Sequence, residues 1–87
     1  MKNKVFTPNG WADYKYWETE DRRTLKKINV LLDHIDRNGN SGMGKPEALR
    51  GNFSGYWSRR INEKDRLVYR LTDTEIIILA CRYHYED

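Results

Sequence analysis

Residues 56–85 constrain the fold more than any other part of the chain. Three runs rich in apolar, aromatic and β-branched residues, 56–61, 66–72 and 75–85, are separated by Asn62-Glu63-Lys64-Asp65 and by Asp73-Thr74. Polar links this short turn the chain straight back, so the three runs form neighbouring antiparallel strands. Such a sheet needs cover on one face. The cover lies upstream, where Leu25, Ile28, Leu31, Leu32 and Ile35 recur at helical spacing, with Lys26, Lys27, Asn29, Asp33 and Asp36 on the opposite side. Asp21 suits the start of that helix and Asn38-Gly39 its end. Before it, Lys4-Val5-Phe6 reads as a short strand. Thr7-Pro8 then reads as the cap and first residue of a helix over 9–18, with Trp11, Tyr14 and Trp17 on its inner side and Gly10 weakening its first turn. The expected fold is α+β: two N-terminal helices packed on a twisted, mainly antiparallel sheet in the order β-α-α-β-β-β, as a single domain over 1–87.

With 87 residues, folding removes about 64% of the chain's surface from water, enough for one modest core. A Rossmann unit, a TIM barrel and a two-domain cleft are excluded by size. The single cysteine, Cys81, rules out an internal disulfide framework. It closes the apolar run Ile76-Ile77-Ile78-Leu79-Ala80-Cys81 and reads as a small buried hydrophobe. One Cys and two distant His, His34 and His84, do not make a zinc set. His34 sits beside the apolar stripe of the long helix as an edge residue. The start of the chain lacks the apolar stretch of a signal peptide, and its longest apolar run is six residues, far short of a membrane span. These features predict a reduced, soluble, cytoplasmic protein with no membrane partner.

Charge is unevenly placed. The net charge is +3. Residues 42–70 hold seven Lys/Arg (Lys45, Arg50, Arg59, Arg60, Lys64, Arg66, Arg70) against Glu47, Glu63 and Asp65. Strand alternation sorts them. Leu67, Tyr69 and Leu71 share one face, and Arg66, Val68 and Arg70 the other. In the last run, Ile77, Leu79, Cys81 and Tyr83 are expected to face the helices, leaving Arg82 and His84 on the open side with Ile76, Ile78 and Ala80. Trp57 and Ile61 point inward, and Tyr56, Ser58 and Arg60 outward. Arg59 falls inward by this count, which reads as an edge bend or bulge. One uncovered face is thus expected to gather Arg60, Arg66, Arg70, Arg82 and His84. A face so nearly cationic suits phosphates, which guanidinium groups bind in bidentate fashion, with aromatic neighbours for stacking bases.

Between helix and strands, residues 39–55 contain five glycines and read as a long functional loop. Gly42-x-Gly44-Lys45 lacks the spacing of a phosphate loop. Cleavage of RNA without a metal needs a base for the 2′-hydroxyl, an acid for the leaving 5′-oxygen and a cation for the charge on phosphorus. Glu47 on the loop, His84 near the chain end and Arg66 between them supply the three types. An ordinary loop salt bridge remains the alternative reading of Glu47.

Gly44-Lys45-Pro46-Glu47-Ala48-Leu49-Arg50, the run Phe-Ser-Gly-Tyr-Trp-Ser-Arg-Arg-Ile over 53–61, Arg66-Leu67-Val68-Tyr69, and Ala80-Cys81-Arg82-Tyr83-His84-Tyr85 closely resemble the YoeB/Txe toxins of the RelE superfamily. Asp13-Tyr14 to Trp17 and Lys26-Lys27-Ile28-Asn29 extend the resemblance over nearly the whole chain. The resemblance implies a RelE-like fold and a ribosome-dependent endoribonuclease that cleaves mRNA without metal or cofactor. It also implies neutralisation by a YefM-like antitoxin, and a homodimer enters as a further partner state. It assigns Glu47 as general base, His84 as general acid, Arg66 as the residue stabilising the transition-state phosphate, and Tyr85 as the aromatic that orients substrate. Arg60 is similar to a supporting phosphate contact, and Lys45, Arg50 and Arg82 join it as phosphate-binding residues. Arg50 stands where the family commonly has Lys. Glu86-Asp87 extend past the usual end of the pattern, where two carboxylates repel phosphate. The rival reading is a non-catalytic module of the same fold that binds RNA or an acidic partner.

Overall fold

The computed structural model describes residues 1–84. Its elements are β1 (Asn3–Phe6), α1 (Pro8–Glu20), α2 (Arg22–Asn38), β2 (Glu47–Ala48), a 3-10 turn at Gly51–Phe53, β3 (Trp57–Arg60), β4 (Arg66–Leu71) and β5 (Glu75–Ala80). The strands form one sheet in the order β1-β5-β4-β3-β2. β1 runs parallel to β5, and every other neighbouring pair is antiparallel. The expected α+β architecture is present, two helices on a mixed sheet. The helices form the crossover that a parallel β1–β5 pair requires. β2 lies inside the stretch read as a loop, because two residues are too few to show a period.

Local chemistry accounts for the helix starts. The Thr7 hydroxyl accepts from the Gly10 N–H at 3.0 Å, and Pro8 opens α1. Gly10 is required by contact rather than tolerated. A β-carbon there would collide with the Ile78 carbonyl oxygen, so glycine lets α1 lie directly on β5. Asp21 caps α2, accepting from the Arg23 and Thr24 N–H groups at 3.0 and 3.4 Å and from the Thr24 hydroxyl at 2.9 Å. These bonds, the Thr24 hydroxyl first, hold its carboxyl below the usual range. Gly39, at φ 62°, ends the helix.

The core forms where Ile28, Leu31, Leu32 and Ile35 of α2 meet Leu67, Tyr69, Ile76, Ile78 and Cys81. Trp17 of α1 is buried there, whereas Trp11 is exposed, contrary to expectation. Ile76 and Ile78 face the helices, the reverse of the predicted parity. Tyr69 pairs with Ile78 but Val68 pairs with Ala80, so Leu79 is an extra residue. A bulge of this kind inverts alternation beyond it. Ala80 therefore faces outward with Val68, and Cys81 turns inward. The expected bulge at Arg59 is replaced by this one in β5. The predicted continuation of the last strand to residue 85 also fails, because β5 ends at Ala80, and Tyr83, expected to face the helices, is exposed. On the outer face, Leu49, Val68 and Ala80 pack with Phe53, Tyr56 and Leu79, so part of that face is covered by the chain's own 49–56 segment.

Candidate active site

Register places the predicted site residues. Glu47 pairs with Ser58, Ser58 with Val68, and Val68 with Ala80, forming one row across four strands. Directly opposed residues share a face, and Val68 faces outward, so Glu47 does too. Two residues along, Arg60 pairs with Arg66 on the same face. β2 and β4 are two strand spacings apart, about 10 Å, with β3 between them. The Arg66 N–H donates to the Tyr83 carbonyl at 2.9 Å, which brings the chain leading to His84 beside the start of β4. Glu47, Arg60, Arg66 and the approach to His84 thus gather at one end of the outer face. Glu47, Arg60 and His84 are exposed.

Arg66 is only 8% exposed. Its Nη1 donates to the carbonyls of Asn62, Asp65 and Glu63 at 2.8, 3.1 and 3.4 Å. The 62–65 turn that offers these carbonyls is tied by the Asn62 Oδ1, which accepts from the Lys64 and Asp65 N–H groups at 2.8 Å each. The guanidinium is thereby fixed by one nitrogen before any ligand arrives. Beside Arg60, the Gly44 carbonyl accepts the Arg60 N–H at 2.7 Å, continuing the β2–β3 pairing backward. This brings Lys45, itself at φ 52°, next to Arg60. Lys27, Lys45 and Arg60 line a cleft of about 390 Å³ with residues 61–63. Arg50 is exposed and precedes the Gly51–Phe53 turn, accepting the Phe53 N–H at its carbonyl.

Two predicted placements change. Arg82 does not join Arg70 on the outer face. Its guanidinium carbon lies 3.5 Å from the Tyr16 ring centroid and 4.5 Å from that of Tyr83, so it stacks against α1 beyond the strand end. Early termination of β5 causes the displacement. Arg59 does point inward and is completely buried, without any bend. Its guanidinium donates to the carbonyls of Gly39, Met43 and Ser41 at 2.6, 2.7 and 3.0 Å, to the Tyr69 hydroxyl at 3.1 Å, and to His34 Nδ1 at 3.2 Å. The edge histidine of α2 is therefore an acceptor for a strand residue. Tyr85 and the Glu86-Asp87 tail lie outside the described residues.

The site is electropositive. Among the described residues, the one ion pair within 4.0 Å is Lys15–Glu18 on α1. The outer-face arginines have no carboxylate partner there. Cys81 is buried as predicted, and burial, then the Asp13 and Asp65 carboxylates, push its thiol up to about 12. A thiol held protonated is no nucleophile. No three His, Cys, Asp or Glu residues among those described group as a metal set, and no described helix is long and apolar enough to cross a membrane.

Sequence reasoning missed Asp13 and Asp65, both buried. Asp13 shares a helical face with Gly10 and Trp17, and a carboxylate in that stripe was the available signal. Asp65 lay in a polar turn and gave none.

Comparison with known proteins decides the family. Residues 6–85 match the family described as the YoeB-like toxin of bacterial type II toxin-antitoxin system. The chain belongs to the YoeB-like toxins. The toxin YoeB of Escherichia coli is 51% identical over 81 residues, covering 93% of this chain and 96% of the relative. The toxin YoeB of Mycobacterium bovis is 48% identical over 85 residues, covering 98% and 100%. The YoeB dimer from Staphylococcus aureus superposes with a TM-score of 0.91 at 52% identity, covering 97% of this chain and 98% of that one. The heterotetrameric YoeB-YefM complex from the same organism gives 0.90 at 51% identity, covering 98% and 99%. Escherichia coli YafQ, 19% identical with a TM-score of 0.75, shares the fold.

Proposed function

We propose that this YoeB-like toxin is a ribosome-dependent endoribonuclease that cleaves mRNA in the decoding site and so inhibits translation. The observation that carries the reading is the gathering of Glu47, Arg60, Arg66 and the chain into His84 at one end of an electropositive sheet face. Glu47 takes the 2′-hydroxyl proton, and the 2′-oxygen bonds to phosphorus. Charge grows on the phosphoryl oxygens, where Arg66, already oriented by the Asn62 and Asp65 carbonyls, is positioned to donate. The bond to the 5′-oxygen breaks as His84 supplies a proton to it. A cyclic phosphate and a free 5′-hydroxyl result. Tyr85, next to His84, orients the substrate, and Lys45, Arg50 and Arg60 hold flanking phosphates. Working on ribosome-bound mRNA places the protein in the cytoplasm.

Expression of the full chain should arrest growth, and His84→Ala should abolish both the arrest and the cutting of programmed ribosomes. A His84→Ala chain that still binds ribosomes and still arrests growth without cutting would favour the rival reading of a non-catalytic binder.

We extend two assemblies from the Staphylococcus aureus relatives to this chain, self-association and capture by a YefM-like antitoxin. The antitoxin segment is read as acidic and partly apolar, matched to the Arg60/Arg66 face. Screening of these charges should make its affinity fall with salt. Calorimetry that shows salt-independent binding would refute that docking mode.

A further inference from the structure

Beyond β5 the chain is no longer in a strand, yet its backbone is held at every polar group of two residues. The Cys81 N–H donates to Asp13 Oδ2 at 3.0 Å, and the Cys81 carbonyl accepts from Trp17 Nε1 at 2.8 Å. The Tyr83 N–H donates to Asp65 Oδ1 at 2.7 Å, and the Tyr83 carbonyl accepts from the Arg66 N–H at 2.9 Å. Two of the four partners are carboxylates drawn from elements far apart in sequence, α1 and the 62–65 turn. Asp13 is 8% exposed and Asp65 7%.

Burying a carboxylate is unfavourable unless something specific is held by it. Neither is part of a described ion pair. Asp13 also receives a long bond, 3.4 Å, from Asn9 Nδ2, and Asp65 Oδ2 accepts from Asn62 Nδ2 at 3.1 Å. The second contact locks Asp65 against the turn that orients Arg66. What the two acids hold in common is the backbone of residues 81–83. That backbone needs holding, because Tyr83 sits at φ 70°, a conformation L residues rarely adopt. A chain released there would relax to an extended form and carry His84 away from the start of β4.

We propose that Asp13 and Asp65 are a two-carboxylate latch that fixes residues 81–83 and so positions His84 against Arg66 for proton transfer. They are positioning residues, acting through the backbone rather than on substrate. The inference rests on His84 being the general acid, as read above. Asp65 has a double hold, with Oδ1 on the segment that delivers the acid and the neighbouring peptide directly on Arg66. One residue thereby couples the placement of acid and cation. Misplacement of a reacting group by about 1 Å is enough to cost about a hundredfold in rate.

The experiment compares Asp65→Ala, Asp65→Asn and Asp13→Asn in the full chain, with His84→Ala as control. Single-turnover cleavage of programmed ribosomes is read beside ribosome affinity and amide exchange at Cys81 and Tyr83. Asp65→Ala should slow cleavage by about a hundredfold at unchanged affinity, with Tyr83 amide protection lost. Asparagine keeps one oxygen able to accept the Tyr83 N–H but turns a donor toward Asn62 Nδ2, so Asp65→Asn should restore Tyr83 protection and recover rate well above that of Asp65→Ala without reaching the parent. Asp13→Asn should likewise keep protection at Cys81. A purely structural role would shift stability without this recovery of rate by the amide.

If His84→Ala is inactive while Asp65→Ala cuts at the parent rate, the latch is wrong and the acid assignment stands. If Asp65→Asn is as slow as Asp65→Ala, charge rather than the held amide matters, and the latch is again wrong. If His84→Ala cuts normally, the acid assignment falls and takes the positioning role with it. Should Asp65→Ala not fold, the Asparagine variant decides alone: Tyr83 protection with cleavage well above that of His84→Ala supports the latch, and cleavage no faster than that of His84→Ala with intact exchange overturns it.

Discussion

Arg59 and Arg66 sit on adjacent antiparallel strands, and both are buried, yet the sheet sends them to opposite faces. Arg59 pairs with Leu67 and points under the helices, while Arg66 pairs with Arg60 and points away from them. Arg59 is saturated by three loop carbonyls, a tyrosine hydroxyl and a histidine nitrogen. Arg66 is held to three carbonyls through Nη1 alone. One cation is consumed by the fold, and the other is oriented by it while part of its donor fork stays available. Burial does not separate a structural arginine from a functional one. The count of committed donors does, because a guanidinium with five donors can be anchored by one nitrogen and still clamp a phosphate.

The largest test of this contrast is Arg66→Ala. Cleavage should fall by about 10²–10³-fold, the usual loss of one transition-state donor, ~2.7–4 kcal/mol of barrier. Unfolding free energy should drop less, by ~1.5–3 kcal/mol, the scale of a bond from a charged group, since a single nitrogen is committed. Single-turnover rates beside denaturant melts decide it. A variant that cuts at the parent rate removes Arg66 from the mechanism. A variant that loses as much stability as rate makes Arg66 another Arg59.

Arg59→Met should reverse the balance. The apolar volume is nearly kept, but the carbonyls of Gly39, Ser41 and Met43 lose their common donor, and Tyr69 and His34 lose theirs. Bonds to charged groups contribute ~1.5–3 kcal/mol each, but removing the buried guanidinium also removes its desolvation penalty of several kcal/mol, so a net loss of about 3 kcal/mol is expected, which lowers the midpoint of a domain this size by ~12–24 °C. Cleavage per folded molecule should fall only secondarily, through loosening of the 39–44 segment that leads to Lys45 and Glu47. An unchanged melting midpoint would show that water replaces Arg59 at those carbonyls without cost.

The same contrast shows what could be read from the sequence. The α2 stripe, its Asp21 cap and the two tight turns were legible because each is local, a spacing or a residue type acting within a few positions. Arg59's inward position was also legible, but its meaning was not. Its partners are carbonyls of the glycine-rich loop, and carbonyls carry no sequence signature. The parity of the last strand failed for a different reason. One extra residue at Leu79 puts Ile76 and Ile78 on the same side as Cys81, so no single alternation holds along the run, and its unbroken apolar character hides the slip. Glu47, Arg66 and His84 were singled out by residue type and by resemblance to the toxin family. Nothing in their spacing states that four strands bring Glu47 into a row ending at Ala80. Asp13 and Asp65 were invisible because they hold backbone amides, which every residue has.

Cys81 tests the distinction at its weakest point, since it is a buried group with no part in the site, and its single donor makes only a long contact, 3.9 Å, to the Gly10 carbonyl. Burial first, and the Asp13 and Asp65 carboxylates after it, hold its thiol up at about 12. In the unfolded chain the thiol titrates near its ordinary value of ~8.5. Between these values the folded protein keeps a proton that the unfolded chain has released, so unfolding releases a proton and stability falls as pH rises. Below about pH 8 both states hold the proton and the group contributes no slope. The full slope is ~1.4 kcal/mol per pH unit, reached above about pH 9.5. Lysines and tyrosines titrate in the same range, so the quantity to measure is the difference between the parent and Cys81→Ala. The parent's advantage from the filled core position should be constant below about pH 8 and shrink steadily above it. At neutral pH the native thiol should resist alkylation that labels the denatured chain at once. Rapid labelling of the folded protein would mean that the segment held by Asp13 opens readily. Cys81 would then belong with the groups the fold leaves available, and the comparison between committed and available donors would have to be drawn from dynamics as well as from bond counts.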